Sequence, residues 1–293
     1  INYKLKTSRL ALKGLENNDS SFILKLVNSK GWLDFIGDRN VNNIADALKY
    51  IEKINSDNKA TYWVATLKDN TQIGIITLIK RAHLEFYDIG FAFLPLYQNN
   101  GYAYEASNAV LNYLVESTGF QSVFATTVSE NKSSIKLIEK LGMTFYKFDV
   151  QHTNKLSLYK LDLDKVKIDN LVNDFYSAFT NKVKKPNLRI LHETCIDEVI
   201  IIKNTNGIGE KYNLENFIAP RKVLLTNGTL IEFEECEVRE QTIITRNIAQ
   251  RISHYQKEGI LNKKRFSDKG TKMFQFVKTG NDWKICSTIW DDA

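Results

Sequence analysis

The chain has 293 residues, 43% hydrophobic and 25% charged, values ordinary for a globular protein and unlike those of a disordered one. Forty Lys and Arg against 34 Asp and Glu give a formal charge of +6, but the cations are interleaved with acids rather than gathered in blocks, so no nucleic-acid partner is expected. No apolar run is long enough to span a bilayer and no signal-peptide core is visible at the start, which points to a cytoplasmic protein with no membrane partner.

This length predicts two domains. The three cysteines, Cys195, Cys236 and Cys286, form no close pair and read as reduced thiols. His192 and Cys195 lie one helical turn apart, but no further ligands stand at zinc-like spacing, and no metal is expected.

In chain order, Asn18 and Asp19 can cap a helix through Phe22, Leu24, Leu26 and Val27, and Ile44, Ala47, Leu48, Ile51 and Ile54 form the apolar stripe of another. Strands at 62–67 and 73–79 flank a hairpin connection at 68–71. A third strand, 86–94, runs into Gln98-Asn99-Asn100-Gly101-Tyr102-Ala103 and a helix at 104–117, stopped by Gly119. A strand at 121–128, a helix at 131–141 ended by Gly142, and strands at 143–150 and 156–163 follow. Asp162-Leu163-Asp164-Lys165-Val166-Lys167 has the polarity of a short linker. Beyond it, Ile168, Leu171, Val172, Phe175 and Phe179 recur at helical spacing. Then come a short segment at 188–199, a helix at 214–225, and alternating strand runs at 230–237, 241–255 and 272–290.

The strand, tight loop and helix around Gly101 make the most informative junction. N–H groups at a helix start lack internal partners and can hold a phosphate, and Gly101 and Ala103 leave room for it. The residues fit neither the Walker loop nor the dinucleotide fingerprint. They resemble the Q/R-x-x-G-x-G/A signature of the GCN5-related N-acetyltransferases. Thr7-Ser8-Arg9-Leu10, Phe35-Ile36-Gly37-Asp38-Arg39-Asn40-Val41, Leu84 to Phe91, Asn131-Lys132-Ser133-Ser134-Ile135 and Glu139-Lys140-Leu141-Gly142-Met143 resemble the RimJ/RimL-like branch, in order, across about residues 5–163.

That resemblance implies an α+β, two-domain chain whose first domain, 1–164, is a mixed sheet with splayed central strands. It implies acetyl-CoA as cosubstrate and a primary amine, a protein N-terminus or a small molecule, as acceptor, attacking directly in a ternary complex. Ile89, Gly90, Phe91, Ala92 and Phe93 would form a bulged strand that bonds the pantetheine arm. Gln98, Asn99, Asn100, Gly101, Tyr102 and Ala103 would hold the pyrophosphate. Asn131 is either a helix cap or a pantetheine contact. Ser134 is the expected proton donor to the leaving thiolate, with Tyr146 in reserve. Asp88 would accept the amine proton unless water does so, with Glu85 as its neighbour. Trp32, Phe35 and Asp38 would border the acceptor cleft. A chain that binds acyl-CoA without turnover is the competing expectation.

The second domain, 165–293, resembles the NTF2-like, or ketosteroid-isomerase-like, cone. The segments that carry this are Asn247 to Tyr255, Gly270 to Thr279, Trp283-Lys284-Ile285 and the ending Ile289-Trp290-Asp291-Asp292. A homodimer through this domain is implied. Its pocket would draw polar groups from Tyr176, His192, Arg221, His254, Gln275 and Asp291. No carboxylate base opposite an oxyanion donor is evident, so the fold names no activity.

Overall fold

The structure, a computed structural model, describes residues 4–117, 119–149, 156–205 and 207–292. Val150, the expected end of one strand, and residues 1–3 lie outside the described residues. The chain forms two compact units, Ile1–Leu163 and Asp164–Ala293.

In the first unit the elements are β1 (Leu5–Lys6), β2 (Leu10–Gly14), α1 (Ser20–Val27), α2 (Lys30–Phe35), α3 (Ile44–Ser56), β3 (Ala60–Leu67), β4 (Gln72–Ile79), β5 (Tyr87–Phe93), α4 (Tyr102–Glu116), β6 (Ser122–Val128), α5 (Lys132–Lys140), β7 (Thr144–Asp149) and β8 (Leu156–Asp162). Eight strands form one sheet in the order β1-β2-β3-β4-β5-β6-β8-β7. Helices α1 to α3 bury Phe22, Ile23, Leu26, Ala47 and Ile51 against Val64 and Ile75 of the sheet. Helix α4 buries Ala106, Val110, Leu111 and Leu114, the spacing that turns one helical stripe inward. Asn43 starts α3 by accepting the N–H of Asp46 at 3.0 Å.

All pairings in this sheet are antiparallel except β5 with β6, and those two share only the positions Tyr87↔Val123 and Asp88↔Phe124. Beyond Asp88, β5 continues to Phe93 with β4 alone as a partner. The expected bulge in β5 is absent: its register with β4 is unbroken from Asp88 to Phe93. Divergence of β6, rather than a bulge, is what leaves the β5 edge open.

In the second unit, α6 (Leu163–Ser177), α7 (Ile190–Thr194) and α8 (Leu214–Thr226) accompany β9 (Cys195–Thr205), β10 (Ile208–Tyr212), β11 (Leu230–Thr245), β12 (Ile248–Leu261), β13 (Lys264–Thr279) and β14 (Asp282–Asp292). The sheet order is β10-β9-β14-β13-β12-β11. Its core joins Ile168, Val172 and Phe175 of α6 and Phe217 of α8 to Phe274, Phe276 and Trp290 of the sheet.

Two expectations fail here. The segment at 162–167 is no linker, because β8 passes directly into α6. Buried Asp164 accepts Trp283 Nε1 at 2.9 Å and Lys278 Nζ at 2.9 and 3.0 Å, so its polarity is spent inside the unit. The strand runs expected at 241–255 and 272–290 each fall in two strands, broken at Arg246, whose φ is 54°, and at Gly280, whose φ is 65°.

Candidate active site

The hydrogen bond from Leu94 N to Ile73 O at 2.9 Å sets the phase of β5. In an antiparallel pair alternate residues face the partner, so Leu94, Ala92 and Gly90 turn their backbone groups to β4. Ile89, Phe91 and Phe93 turn theirs to the side that β6 has left. The Gln98 side chain closes the end of that row by donating from Nε2 to Phe93 O at 2.9 Å. Gly90 is required by close approach: a Cβ there would stand 2.7 Å from Thr77 Oγ1.

β5 then feeds the loop. Asn99 has φ 59° and Gly101 φ 77°, both left-handed, and Gly101 is the N-cap residue of α4 with no side chain capping that end. The first intrahelical bond runs from Glu105 N to Gly101 O, 3.0 Å. The amides before Glu105 therefore crown a helix start with a positive partial charge and no built-in acceptor side chain.

The loop is braced from 96 residues away. Glu105 Oε1 accepts from Thr7 Oγ1 at 2.5 Å, Arg9 N at 2.9 Å and Ser8 Oγ at 3.1 Å, and Oε2 accepts from Arg9 Nε at 2.6 Å. Arg9 Nη1 donates to Asn100 O at 3.0 Å, and its guanidinium lies 4.5 Å from the Tyr102 ring centroid. Burial alone would raise the Glu105 pKa. The bonds from Thr7, Arg9 and Ser8 outweigh it and hold the pKa down at about 2. Sequence reading found Thr7-Ser8-Arg9 as a family echo but missed its task. An acidic residue in the first turn of α4, with no partner nearby in sequence, was the available signal.

Asp88 is 3% exposed. Its Oδ2 accepts Arg81 Nε at 2.5 Å and Thr126 Oγ1 at 3.0 Å, and Oδ1 accepts Thr126 N at 3.1 Å. Burial pushes its pKa up, while Arg81 and Thr126 pull the other way. Glu85 is exposed and lies before β5 begins.

Because β5 and β6 are parallel, the helices that follow them start at the same edge of the sheet. Asn131 is the N-cap of α5, accepting Ser134 N at 3.0 Å, so its carbonyl oxygen does the work of a cap. Half-buried Ser134 lies in that first turn. Tyr146 is the extra residue of a bulge in β7, between Phe145↔Tyr159 and Lys147↔Leu158. It is 51% exposed rather than packed in a core, and its ring lies 5.6 Å from that of Phe124 on β6.

Trp32 is 5% exposed within the α1–α3 core, donating Nε1 to Gly37 O at 3.1 Å, so it shapes a turn instead of offering a face. Phe35 is 44% exposed. Asp38 Oδ1 accepts Asn40 N at 2.7 Å. Sequence reading also passed over Tyr62, which stands in register with Thr77 and, beyond it, Gly90. Burial and the neighbouring Tyr50 raise the Tyr62 pKa, against Arg39 and Arg81.

Of the polar groups expected in a second-unit pocket, only Arg221 lines the cavity there. Strand alternation explains three failures. Trp290, Lys272 and Phe274 point inward, so Asp291, Gln275 and His254 face the other way, where they meet Asn204, Ser287 and Thr271. Tyr176 is buried and bonded to Ser253 at 2.8 Å, and half-exposed His192 lies 3.6 Å from Glu215.

Among the described residues no helix is long and apolar enough to cross a membrane, and no group of three His, Cys, Asp or Glu could hold a metal ion. A family model for the acetyltransferase (GNAT) domain matches residues 9–144. The uncharacterized N-acetyltransferase YnaD of Bacillus subtilis (strain 168) is 30% identical over 139 residues, 47% of this chain and 81% of that one. A GNAT-family acetyltransferase structure from Bacillus anthracis is similar at 25% identity and a TM-score of 0.48, over 55% of this chain and 99% of that chain. The spermidine N-acetyltransferase of Vibrio cholerae, solved with CoA and spermine, is similar at 19% identity and a TM-score of 0.49, over 54% of this chain and 98% of that one.

Proposed function

The chain belongs to the acetyltransferase (GNAT) family, and from that premise we propose that it moves an acetyl group from acetyl-CoA to a primary amine by direct attack in a ternary complex. The observation that carries this reading is the divergence of β6 from β5 beside the uncapped, left-handed start of α4. An open strand edge suits an extended amide-bearing arm, and the free amides beside it suit a pyrophosphate.

In this reading the amides from Asn99 to Ala103 hold the pyrophosphate, with Gln98 fixing the loop entrance and Asn131 ordering the facing helix start. The outward groups of Ile89, Phe91 and Phe93 bond the pantetheine arm, and one of their N–H groups steadies the thioester oxygen as charge develops there. The amine lone pair attacks the carbonyl carbon and the C–S bond breaks. Ser134 gives its hydroxyl proton to the departing sulfur, with Tyr146 as its reserve; water takes the proton from the amine and returns one to the Ser134 oxygen, so the hydroxyl is restored. Asp88, already met by three donors, sets the angle between β5 and β6 rather than serving as the base. Phe35 and Asp38 border the acceptor side, and Trp32 supports them from beneath.

We further read the first unit as RimJ/RimL-like, the second as NTF2-like, and the protein as cytoplasmic. The outward row Ile289, Met273 and Ile252 supports a homodimer through the second sheet, since Ile289 and Met273 are 44% and 51% exposed. The acceptor is a protein N-terminus or a small amine. Thiol release from acetyl-CoA, followed over N-terminal peptides, polyamines and aminoglycosides, is the test. Amine-dependent release with at least one acceptor is expected. Tight coenzyme A binding with no release across the panel would leave a binding protein instead.

A further inference from the structure

Between α8 and the sheet of the second unit lies a cavity of about 810 Å³, within the range of roughly 300–1,000 Å³ typical of small-molecule sites. Phe175, Phe179, Phe217, Phe233 and Trp290 line it, each less than one-tenth exposed. The charged lining is lopsided: five Lys or Arg side chains against only Glu235 and Asp268.

Lys272 and Glu235 form a direct ion pair, 4% and 9% exposed. The Lys272 ammonium is 3.7 Å from the Tyr255 ring centroid and 5.7 Å from that of Trp290. The Arg221 guanidinium lies 3.7 Å over Phe217 and 6.0 Å from the same Trp290 ring. A buried pair of charges costs desolvation that an apolar pair of the same size would not, so this end of the cavity keeps its polarity at some expense. An aromatic cavity often suits a cationic guest. Here the Phe217 and Trp290 rings are already met by the protein's own Arg221 and Lys272, and the lining's excess of positive charge repels a further cation.

We propose that this cavity binds an organic carboxylate with a largely apolar body. The body lies against Phe175, Phe179 and Phe233, and the carboxylate meets Arg221 beside Trp290. Arg221 Nη1 already donates to Phe217 O at 2.9 Å, but a guanidinium carries five N–H donors in a planar fork, more than that bond uses, and the fork matches a carboxylate. The five-to-two excess of cations favours an anion, and the aromatic walls exclude one that is polar throughout.

The test is calorimetric titration of the full chain with decanoate, decylammonium and decanol, three probes with the same body and different heads. Saturable binding of one decanoate per chain is expected, with the other two weaker by roughly tenfold or more, as loss of a charge-assisted hydrogen bond implies. Arg221→Gln should weaken decanoate by a similar factor and leave decanol unchanged. Leu224→Trp, at a cavity-lining position 37% exposed and so tolerant of bulk, should abolish binding of all three while the melting transition persists. No saturable decanoate binding, equal binding of decylammonium or decanol, or undiminished decanoate binding in a folded Arg221→Gln or Leu224→Trp variant would overturn the proposal. None of these outcomes depends on acetyl transfer by the first unit.

Discussion

The backbone N–H of Thr126 donates to Asp88 Oδ1 at 3.1 Å, two residues past the last position that β5 and β6 share. A carboxylate takes over where the ladder stops. Asp88→Ala should therefore cost about 2–3 kcal/mol in urea unfolding, because it leaves a backbone N–H and Arg81 without their acceptor. Asp88→Asn keeps one acceptor oxygen. Its turnover should fall less than about tenfold and its pH profile should keep the acid limb, whereas a general base would lose both.

Gly101 has φ 77°, and a Cβ there would lie 3.3 Å from Arg9 Nη2. Gly101→Val forces a β-branched residue into the left-handed region at a cost of about 1–3 kcal/mol and crowds the brace. Coenzyme A affinity, measured by calorimetry on the folded variant, should drop about tenfold or more. Unchanged affinity would place the pyrophosphate elsewhere.

The Glu105 pKa stands at about 2 against an ordinary 4.5. Lowered on folding, it contributes stability that is complete above pH 4.5 and lost as pH falls through about 2. Glu105→Gln should be less stable than the parent by about 1–2 kcal/mol at pH 7, and the gap should close across that acid window. Unfolding curves of both proteins at stepped pH check this, and a gap that persists below pH 2 would deny the charge any part.

Ser134→Ala removes the hydroxyl but not the backbone N–H that Asn131 caps. Turnover should fall about a hundredfold with coenzyme A binding nearly intact. Full turnover would pass the role to Tyr146 or water.

Adjacent residues serve separate units at the junction: Leu163 N donates to Gln121 O at 2.8 Å, and the Asp164 carboxylate accepts from Trp283 and Lys278. Fragments 1–163 and 164–293 should each melt cooperatively, with coenzyme A bound by the first alone. A cut at Lys165 would take Asp164 from the second unit, which should melt lower. Molten fragments from either cut would mean that the chain folds as one body.

Local signals carried much of the fold. The start of α4 was legible to within two residues because Gly101 and the preceding apolar run leave little choice of conformation. Helix α8 was legible to within one residue from its apolar spacing. Elements that rest on distant partners were not. The break at Arg246 has no turn-forming residue type at its left-handed position. The polarity of 162–167 looked like solvent exposure, although Asp164 meets partners more than 110 residues away. At the site, the loop could be read, but its Arg9–Glu105 brace could not, since no pattern within a window joins residues 96 apart. The open edge of β5 was expected from a bulge together with splayed strands; the splay is present and the bulge is not, because the register of β5 with β4 runs unbroken to Phe93.

The bulge that does occur, in β7, bears on association as well as on the site. β7 is the last strand of its sheet, and Phe145, Tyr146 and Phe148 on it are 50%, 51% and 43% exposed. A straight edge of that composition would template the addition of a strand from another molecule. Setting Tyr146 out of register bends the edge, and Lys147 places a charge among the rings. The irregularity that sets Tyr146 beside Phe124 is thus also of the kind that blunts a sheet edge against pairing.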